Sequence, residues 1–130
     1  MVLHRVIYAS ESVGTTGAST LSIAQILGVS EPNNRRDHLT SCMMFHHGHI
    51  LQVIEGGRND VDRLMRRLSV DPRHTGLRIL TDTPIPARRL EMPMVLCPDP
   101  APLLNHVGLP CLSLVTAPQA ESMLLMSLAA

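Results

Sequence analysis

The chain has 130 residues, of which 45% are hydrophobic, and its 11 basic residues are balanced by 11 acidic ones. This length predicts one domain with a substantial core, and the zero net charge argues against nucleic acid or an anionic membrane as the main partner, because both require a basic surplus. No apolar run reaches the roughly 20 residues that span a bilayer, and the N-terminus lacks the layout of a signal peptide, so we expect a cytoplasmic protein.

The N-terminal part of the chain predicts a strand, a loop and a helix. Residues 3–10, LHRVIYAS, have the β-branched and aromatic character of a strand. A loop rich in serine, threonine and glycine follows, with Ser19 or Thr20 as the cap of a helix over about 20–30. Pro32 should end or bend that helix, and the NNRR sequence after it is typical of a loop.

A β-hairpin comes next, and it contains one residue that does not suit its strand. Residues 38–45, HLTSCMMF, and residues 49–57, HILQVIEGG, are two strand-like runs that a few residues separate. Alternation in the second run directs Ile50, Gln52 and Ile54 to the same face. A buried primary amide without partners costs roughly 1–3 kcal/mol, so Gln52 needs a hydrogen-bonding partner on an otherwise apolar face.

The segment after the hairpin predicts an amphipathic helix. Two glycines stop the strand, and Asn59 or Asp60 can cap the helix. Apolar residues then recur at positions i, i+3, i+4 and i+7, namely Val61, Leu64, Met65 and Leu68. Arg67 and Asp71, four residues apart, are expected together on one edge of this stripe, where such a pair is ordinarily a solvated ion pair.

The remaining elements complete an α+β fold. Residues 76–83 and 88–96 predict two more strands, and Pro93 in the second favours an edge or a bulge. The order β-α-β-β-α-β-β predicts a ferredoxin-like, five-stranded mixed sheet with two helices on one face. Residues 98–130 predict a short helix around LLNHVG and a final helix with Pro118 in its first turn, which would cover the other face as a C-terminal helical tail.

Several reactive side chains have ordinary interpretations when each is considered alone. His46, His47 and His49 straddle a predicted turn without a nearby carboxylate or cysteine, so we expect a solvated hairpin tip and no metal site. The three cysteines are widely spaced and lack an evident base, which predicts reduced, non-catalytic thiols. The chain contains no lysine, so it cannot form a Schiff base.

Five blocks, considered jointly, indicate a family. In chain order they are LHRVIYAS, NNRRDHLTS, HGHILQVIEGG, DRLMRRLSVDPRH and MPMVL, within about residues 2–97. In order and spacing they resemble the BLUF domain, a blue-light sensor that uses flavin. The resemblance implies that residues 1–97 form a flavin-binding photosensor domain and that residues 98–130 form a helical extension for packing and dimerisation.

The resemblance also implies a set of site residues. Tyr8 matches the photoactive tyrosine of the family, and Gln52 matches its switching glutamine. Asn34 corresponds to the asparagine that hydrogen-bonds the flavin ring, with Asn33 beside it as a second contact. The other positions implied to hold or adjoin the flavin are Arg67, Asp71 and Met94.

The implied function is light sensing with a non-covalently bound flavin, FAD or FMN. Blue light makes the flavin a strong oxidant, Tyr8 donates an electron and a proton through Gln52, and the hydrogen bond of Gln52 to the flavin rearranges. A bridging position between the phenol and the flavin would satisfy the Gln52 amide. We expect no enzymatic activity, a separate downstream signalling protein as partner, and a homodimer formed through the tail, where apolar residues cluster at Leu124, Leu125 and Met126.

The sequence departs from the family pattern at a few positions. Ser41 stands where the family usually has glycine, Met92 stands where a tryptophan is frequent, the segment before Met92 is about one residue short, and Pro32 precedes the two asparagines. Two alternatives stay open. The first is a flavin-binding domain without photochemistry, and the second is a small ferredoxin-like enzyme or metabolite-binding domain, suggested by topology alone.

Overall fold

The computed structural model describes residues 2–12, 32–72, 74–97 and 99–129. The helix predicted over 20–30, with its cap at Ser19 or Thr20, lies outside these residues.

A five-stranded sheet forms the centre of the fold. Its strands are β1 (Leu3–Ser12), β2 (Thr40–His46), β3 (His49–Gly57), β4 (His74–Ile85) and β5 (Val95–Cys97). They lie in the order β4-β1-β3-β2-β5, and every neighbouring pair is antiparallel except β2 with β5, which is parallel. The predicted mixed sheet and α+β class are confirmed.

The β2–β3 hairpin turns over two residues with a left-handed backbone. His47 has φ 49° and Gly48 has φ 79°, which is the conformation of a type I′ turn, whose twist suits a tight hairpin. His47 is exposed and His46 and His49 are partly so, as expected for a hairpin tip. Among the described residues, no group of three His, Cys, Asp or Glu side chains is arranged to hold a metal ion.

Helices depart from the sequence predictions at their ends. Residues 32–36 are helical and are called α1, so the loop predicted over NNRR is wrong; Asn and Arg tolerate helical backbone at modest cost. The predicted end or bend of the 20–30 helix at Pro32 involves residues outside the described ones. Helix α2 (Arg58–Ser69) begins after Gly57, which is its N-cap without a side-chain bond. Asn59 and Asp60 are therefore in its first turn and are not its cap.

The two faces of the sheet have separate cores. One, the α2 face, is covered by α2, and its buried side chains include Val6, Tyr8, Ile50, Ile54, Val61 and Leu64. The opposite, tail face is covered by α3 (Ala101–Val107), a 3-10 turn (Leu112–Leu114) and α4 (Ala117–Ala129). Its buried side chains include Ile7, Ala9, Leu51, Val53, Leu104, Leu112, Met123 and Leu124, with Met126 packed against them. The predicted covering of the second face by a C-terminal tail is thus confirmed.

The last strand is much shorter than predicted. Only Val95–Cys97 pairs with β2, at the sheet edge, whereas a strand over 88–96 was expected. The backbone N–H groups of Arg89 and Leu90 donate instead to the carboxylate of Glu55, each at 2.8 Å. These amides cannot serve a sheet ladder, and Pro93 has none to offer.

Within the described residues, no helix combines the length and the apolar character needed to cross a bilayer.

Candidate functional site

Tyr8 and Gln52 form a buried pair at the centre of the α2 face. The register of β1 against β3 places them directly opposite each other, and their exposed fractions are 1% and 2%. The Tyr8 hydroxyl donates a hydrogen bond to Gln52 Oε1. The unusual glutamine of HILQVIEGG therefore has a phenol as one partner, and its amide nitrogen carries two further donors.

Asn34 lies on the same side of the sheet and ties α1 to the segment before β5. Its side chain is 1% exposed, and Nδ2 donates to the Pro93 carbonyl at 2.9 Å and to Ser41 Oγ at 3.2 Å. Ser41 follows Thr40 on β2 and pairs with Ile54, so its side chain shares the face of Gln52. Asn33 is only half-buried and lies next to Asn34 in the helix.

Two methionines adjoin these polar groups. Met43 is directly opposite Gln52 on β2, and Met94 is 7% exposed in the same buried cluster as Tyr8. The Met94 sulfur is 3.4 Å from Ser41 Oγ. The structure thus brings together Tyr8, Gln52, Asn34 and Met94 of the predicted site residues on one face.

Arg67 belongs to a separate charged cluster around Asp37. The Asp37 carboxylate is nearly buried and is approached by Arg36 at 3.1 Å, and by Arg63 and Arg67 at 3.4 Å each. A hydrogen bond from Arg36 is the main reason why the pKa of Asp37 is lowered from its ordinary value, with the charges of the other two arginines adding to it. Guanidinium groups carry more donors than one carboxylate contact uses, so this cluster has the chemistry to hold an anionic group.

The prediction that one helix carries both Arg67 and Asp71 is wrong. Helix α2 ends at Ser69 with Val70 as its C-cap, so Asp71 lies beyond the last turn and does not continue the helix edge. The sequence could not reveal Asp37 as a contact of Arg67, because the two are 30 residues apart.

His74 is a residue near the candidate site that the sequence did not single out. Its Nδ1 is 2.8 Å from Ser10 Oγ and its Nε2 is 2.6 Å from the Leu68 carbonyl. Its ring stands edge-on to Tyr8, with 6.1 Å between the centroids. His74 therefore joins β4, β1 and the end of α2 beside the phenol; its only sequence signal was its place in the block DRLMRRLSVDPRH.

The side chains on the α2 face have the chemistry that a flavin requires. An isoalloxazine ring has flat apolar faces and a polar edge that alternates acceptors with one N–H. The buried amides of Gln52 and Asn34 offer both donors and acceptors, while Val61 and Leu64 of α2 and the isoleucines of β3 supply apolar surface. The donor set fits this cofactor.

Comparison with protein families gives one match that covers more than half of the chain. The family model described as "BLUF: Sensors of blue-light using FAD" matches residues 3–94.

Curated relatives match over part of their length. The chain is 30% identical over 86 residues to the photoactivated adenylate cyclase subunit beta of Euglena gracilis, and 28% identical to the alpha subunit of the same organism. The matched region is 66% of this chain in both cases, but only 10% of the beta subunit and 8% of the alpha subunit. The chain therefore spans about a tenth of the length of these relatives.

Solved structures share the fold. A BLUF protein in its dark state, BlrB, superposes with a TM-score of 0.84 at 27% identity, over 98% of this chain and 96% of that one. The ground state of BlsA superposes with a TM-score of 0.88, over 98% of this chain and 89% of that one, at 18% identity, which supports the fold alone. A bacterial light-regulated adenylyl cyclase matches over 81% of this chain and 32% of its own, with a TM-score of 0.72 and 27% identity. From the family match over residues 3–94 and the fold that carries it, the chain belongs to the BLUF family of blue-light sensors that use FAD.

Proposed function

We propose that this protein is a blue-light photoreceptor in which the Tyr8–Gln52 hydrogen bond is the switch. The observation that carries the proposal is the phenol-to-amide hydrogen bond itself, made between two nearly unexposed side chains on an apolar sheet face. Such a pair excludes water. In a medium of low dielectric constant, a change in one hydrogen bond strongly alters the electrostatic energy of the groups around it. If residue 52 served packing alone, an aliphatic side chain would cost less free energy to bury than the glutamine amide.

Tyr8 acts as the electron and proton donor in this proposal. When bound, the flavin supplies a strong oxidant after it absorbs blue light. Tyr8 would lose an electron to this oxidant, its phenol would become a much stronger acid, and its proton would move along the existing hydrogen bond to Gln52 Oε1. When the electron returns to Tyr8 together with a proton given up by Gln52, Gln52 would be left rotated or tautomerised, with its donors and acceptors exchanged.

Other residues hold the cofactor, which we propose to be FAD bound without a covalent link. Asn34 and Asn33 would hold the polar edge of the ring, and Met94 would adjoin it. Arg67 and Asp71, at the far end of α2, orient the flavin side chain. The arginines around Asp37 support the binding of a phosphate-bearing side chain, which both FAD and FMN have.

The signal is proposed to leave through β5 and the helices that follow it. β5 is an edge strand of three residues, which makes it a segment of low local stability. The helices of residues 101–129 cover the tail face with Leu124 fully buried, and a change at β5 would alter their packing. We propose a downstream signalling protein as the receiver, with residues 1–97 as the sensor and residues 98–130 as the extension that also forms a homodimer.

One absorption spectrum tests the proposal against both alternatives. The purified chain, supplied with FAD, should be yellow in the dark and should shift its absorption to the red under blue light, with return in darkness. A colourless protein that does not take up FAD would support a ferredoxin-like domain of another kind. A yellow protein without a light-induced shift would identify a flavin carrier that lacks photochemistry.

The oligomeric state has its own test. Size-exclusion chromatography at micromolar concentration should show a dimer, and an exclusively monomeric elution would remove that part of the proposal.

A further inference from the structure

Ser41 joins two parts of the candidate site that are far apart in sequence. It is fully buried on β2. Its Oγ lies 2.8 Å from the Pro93 carbonyl oxygen and 3.2 Å from Asn34 Nδ2, and that same Nδ2 lies 2.9 Å from the Pro93 oxygen. The three atoms form a closed triangle of contacts.

The hydrogens in this triangle can be assigned from chemistry. A serine hydroxyl has one hydrogen, and the Pro93 oxygen can only accept, so Ser41 donates to Pro93 and accepts from Asn34. The reversed orientation of the Asn34 amide would point its oxygen at the Pro93 oxygen and is excluded. Asn34 Nδ2 therefore donates toward two acceptors within the chain, and one of these acceptors exists only because residue 41 has a hydroxyl.

The contacts of Ser41 extend over three successive residues that precede β5. Its backbone N–H donates to the Met92 carbonyl at 3.1 Å, its hydroxyl donates to Pro93, and its Oγ is 3.4 Å from the Met94 sulfur. The strand that follows is only three residues long. A small number of contacts at its start therefore contributes a large share of what holds it in the sheet.

We propose that Ser41 is a positioning residue that couples the amide of Asn34 to residues 92–94, and through them to β5. The inference rests on the proposed function, because it takes Asn34 to face the flavin edge. Ser41 competes with the flavin carbonyl for the Nδ2 donors of Asn34, so a change in that carbonyl's hydrogen bonding alters the contacts of Asn34 and Ser41 with the Pro93 carbonyl. A glycine at position 41 offers no such link.

Amide hydrogen exchange tests the link to β5 and needs no flavin. In Ser41→Ala, the amides of Val95–Cys97 should exchange about fivefold faster than in the original chain, the factor that corresponds to one net hydrogen bond. Ser41→Cys has nearly the same size with a weaker donor and acceptor, so its exchange should be intermediate. Ser10→Ala is the matched control, because it deletes a buried hydroxyl that contacts His74 and should leave these amides unchanged.

The infrared spectrum of the FAD-bound protein tests the link to Asn34. Removal of the Ser41 hydroxyl takes away one of the two acceptors of Asn34 Nδ2 and leaves its donors more available to the flavin. The flavin carbonyl stretch in the dark should therefore move to lower frequency in Ser41→Ala, with Ser41→Cys between. A residue that merely fills space would not move this band in that direction.

Each outcome is decisive. Exchange of Val95–Cys97 within twofold of the original chain in Ser41→Ala would overturn the proposal, as would faster exchange with an unmoved carbonyl band, because Ser41 would then be only structural. If the original chain takes up no FAD, the proposed function fails and the coupling to a flavin fails with it. The exchange data still report separately whether Ser41 holds β5, so the two failures are distinguishable.

Discussion

The strongest prediction about stability concerns the buried carboxylate of Glu55. Its side chain is fully buried and accepts four hydrogen bonds: two from Arg5 at 2.8–2.9 Å and two from the backbone amides of Arg89 and Leu90 at 2.8 Å. Glu55→Gln keeps the shape but turns an N–H group toward the Arg5 guanidinium and removes its counter-charge. Breaking one side of a buried ion pair costs about 3–5 kcal/mol. Since Arg5 retains a second carboxylate at 3.4 Å, that of Glu121, we expect about 3 kcal/mol.

Urea unfolding followed by circular dichroism measures this cost, with stability extrapolated to zero denaturant. Glu121→Gln is the matched control, because it removes the same charge from the same arginine at a site where the glutamate side chain is 34% exposed, and exposed pairs contribute below about 1 kcal/mol. A loss under about 1 kcal/mol for Glu55→Gln, or equal losses for the two variants, would refute the reasoning that burial gives this pair its weight.

Three further predictions concern thiols, pH and the hairpin. Burial raises the pKa of Cys42 from 9.0 to about 11, which lowers its thiolate fraction about a hundredfold near neutral pH, while a hydrogen bond from Ser113 lowers the pKa of Cys111. Iodoacetamide should therefore modify Cys111 first and Cys42 last, as followed by mass spectrometry. Rapid alkylation of Cys42 in the folded protein would contradict this. The pKa of Asp37 is lowered in the folded protein, so its carboxylate contributes stability above the pKa of the unfolded state, and this stability is lost as the pH falls through the folded-state pKa. Between about pH 5 and 3, Asp37→Asn should therefore lose less stability than the original chain. Parallel profiles of stability against pH would show that the Asp37 carboxylate does not stabilise the fold in this way. Gly48→Ala forces a side chain onto φ 79° and should cost about 1–2 kcal/mol in urea unfolding, whereas an unchanged midpoint would show that the turn rearranges freely.

Local pattern predicted the sheet well where alternation and turn chemistry agree. Strands expected over 3–10 and 49–57 are observed at Leu3–Ser12 and His49–Gly57, and the two-residue turn follows from a glycine that tolerates positive φ. Residues 88–96 were predicted as a strand because their apolar content suits one. Their backbone donors bind Glu55 instead, a partner more than 30 positions away that no local pattern contains.

The candidate site was predictable only in part for the same reason. Alternation along HILQVIEGG showed that Gln52 needs a partner, but the identity of that partner depends on the register of β1 against β3, which the resemblance implied and local sequence does not encode. Ser41 was visible as a departure from the family pattern. Its contacts with Asn34 and Pro93 arise only when α1, β2 and the segment before β5 meet.

The role of the phenol is the central claim, and Tyr8→Phe tests it most directly. The variant should bind FAD and be yellow, because the apolar ring that packs on the α2 face is retained. Without the hydroxyl that donates to Gln52 Oε1, blue light should produce no red shift in its absorption spectrum. A full and reversible red shift in Tyr8→Phe would contradict the account.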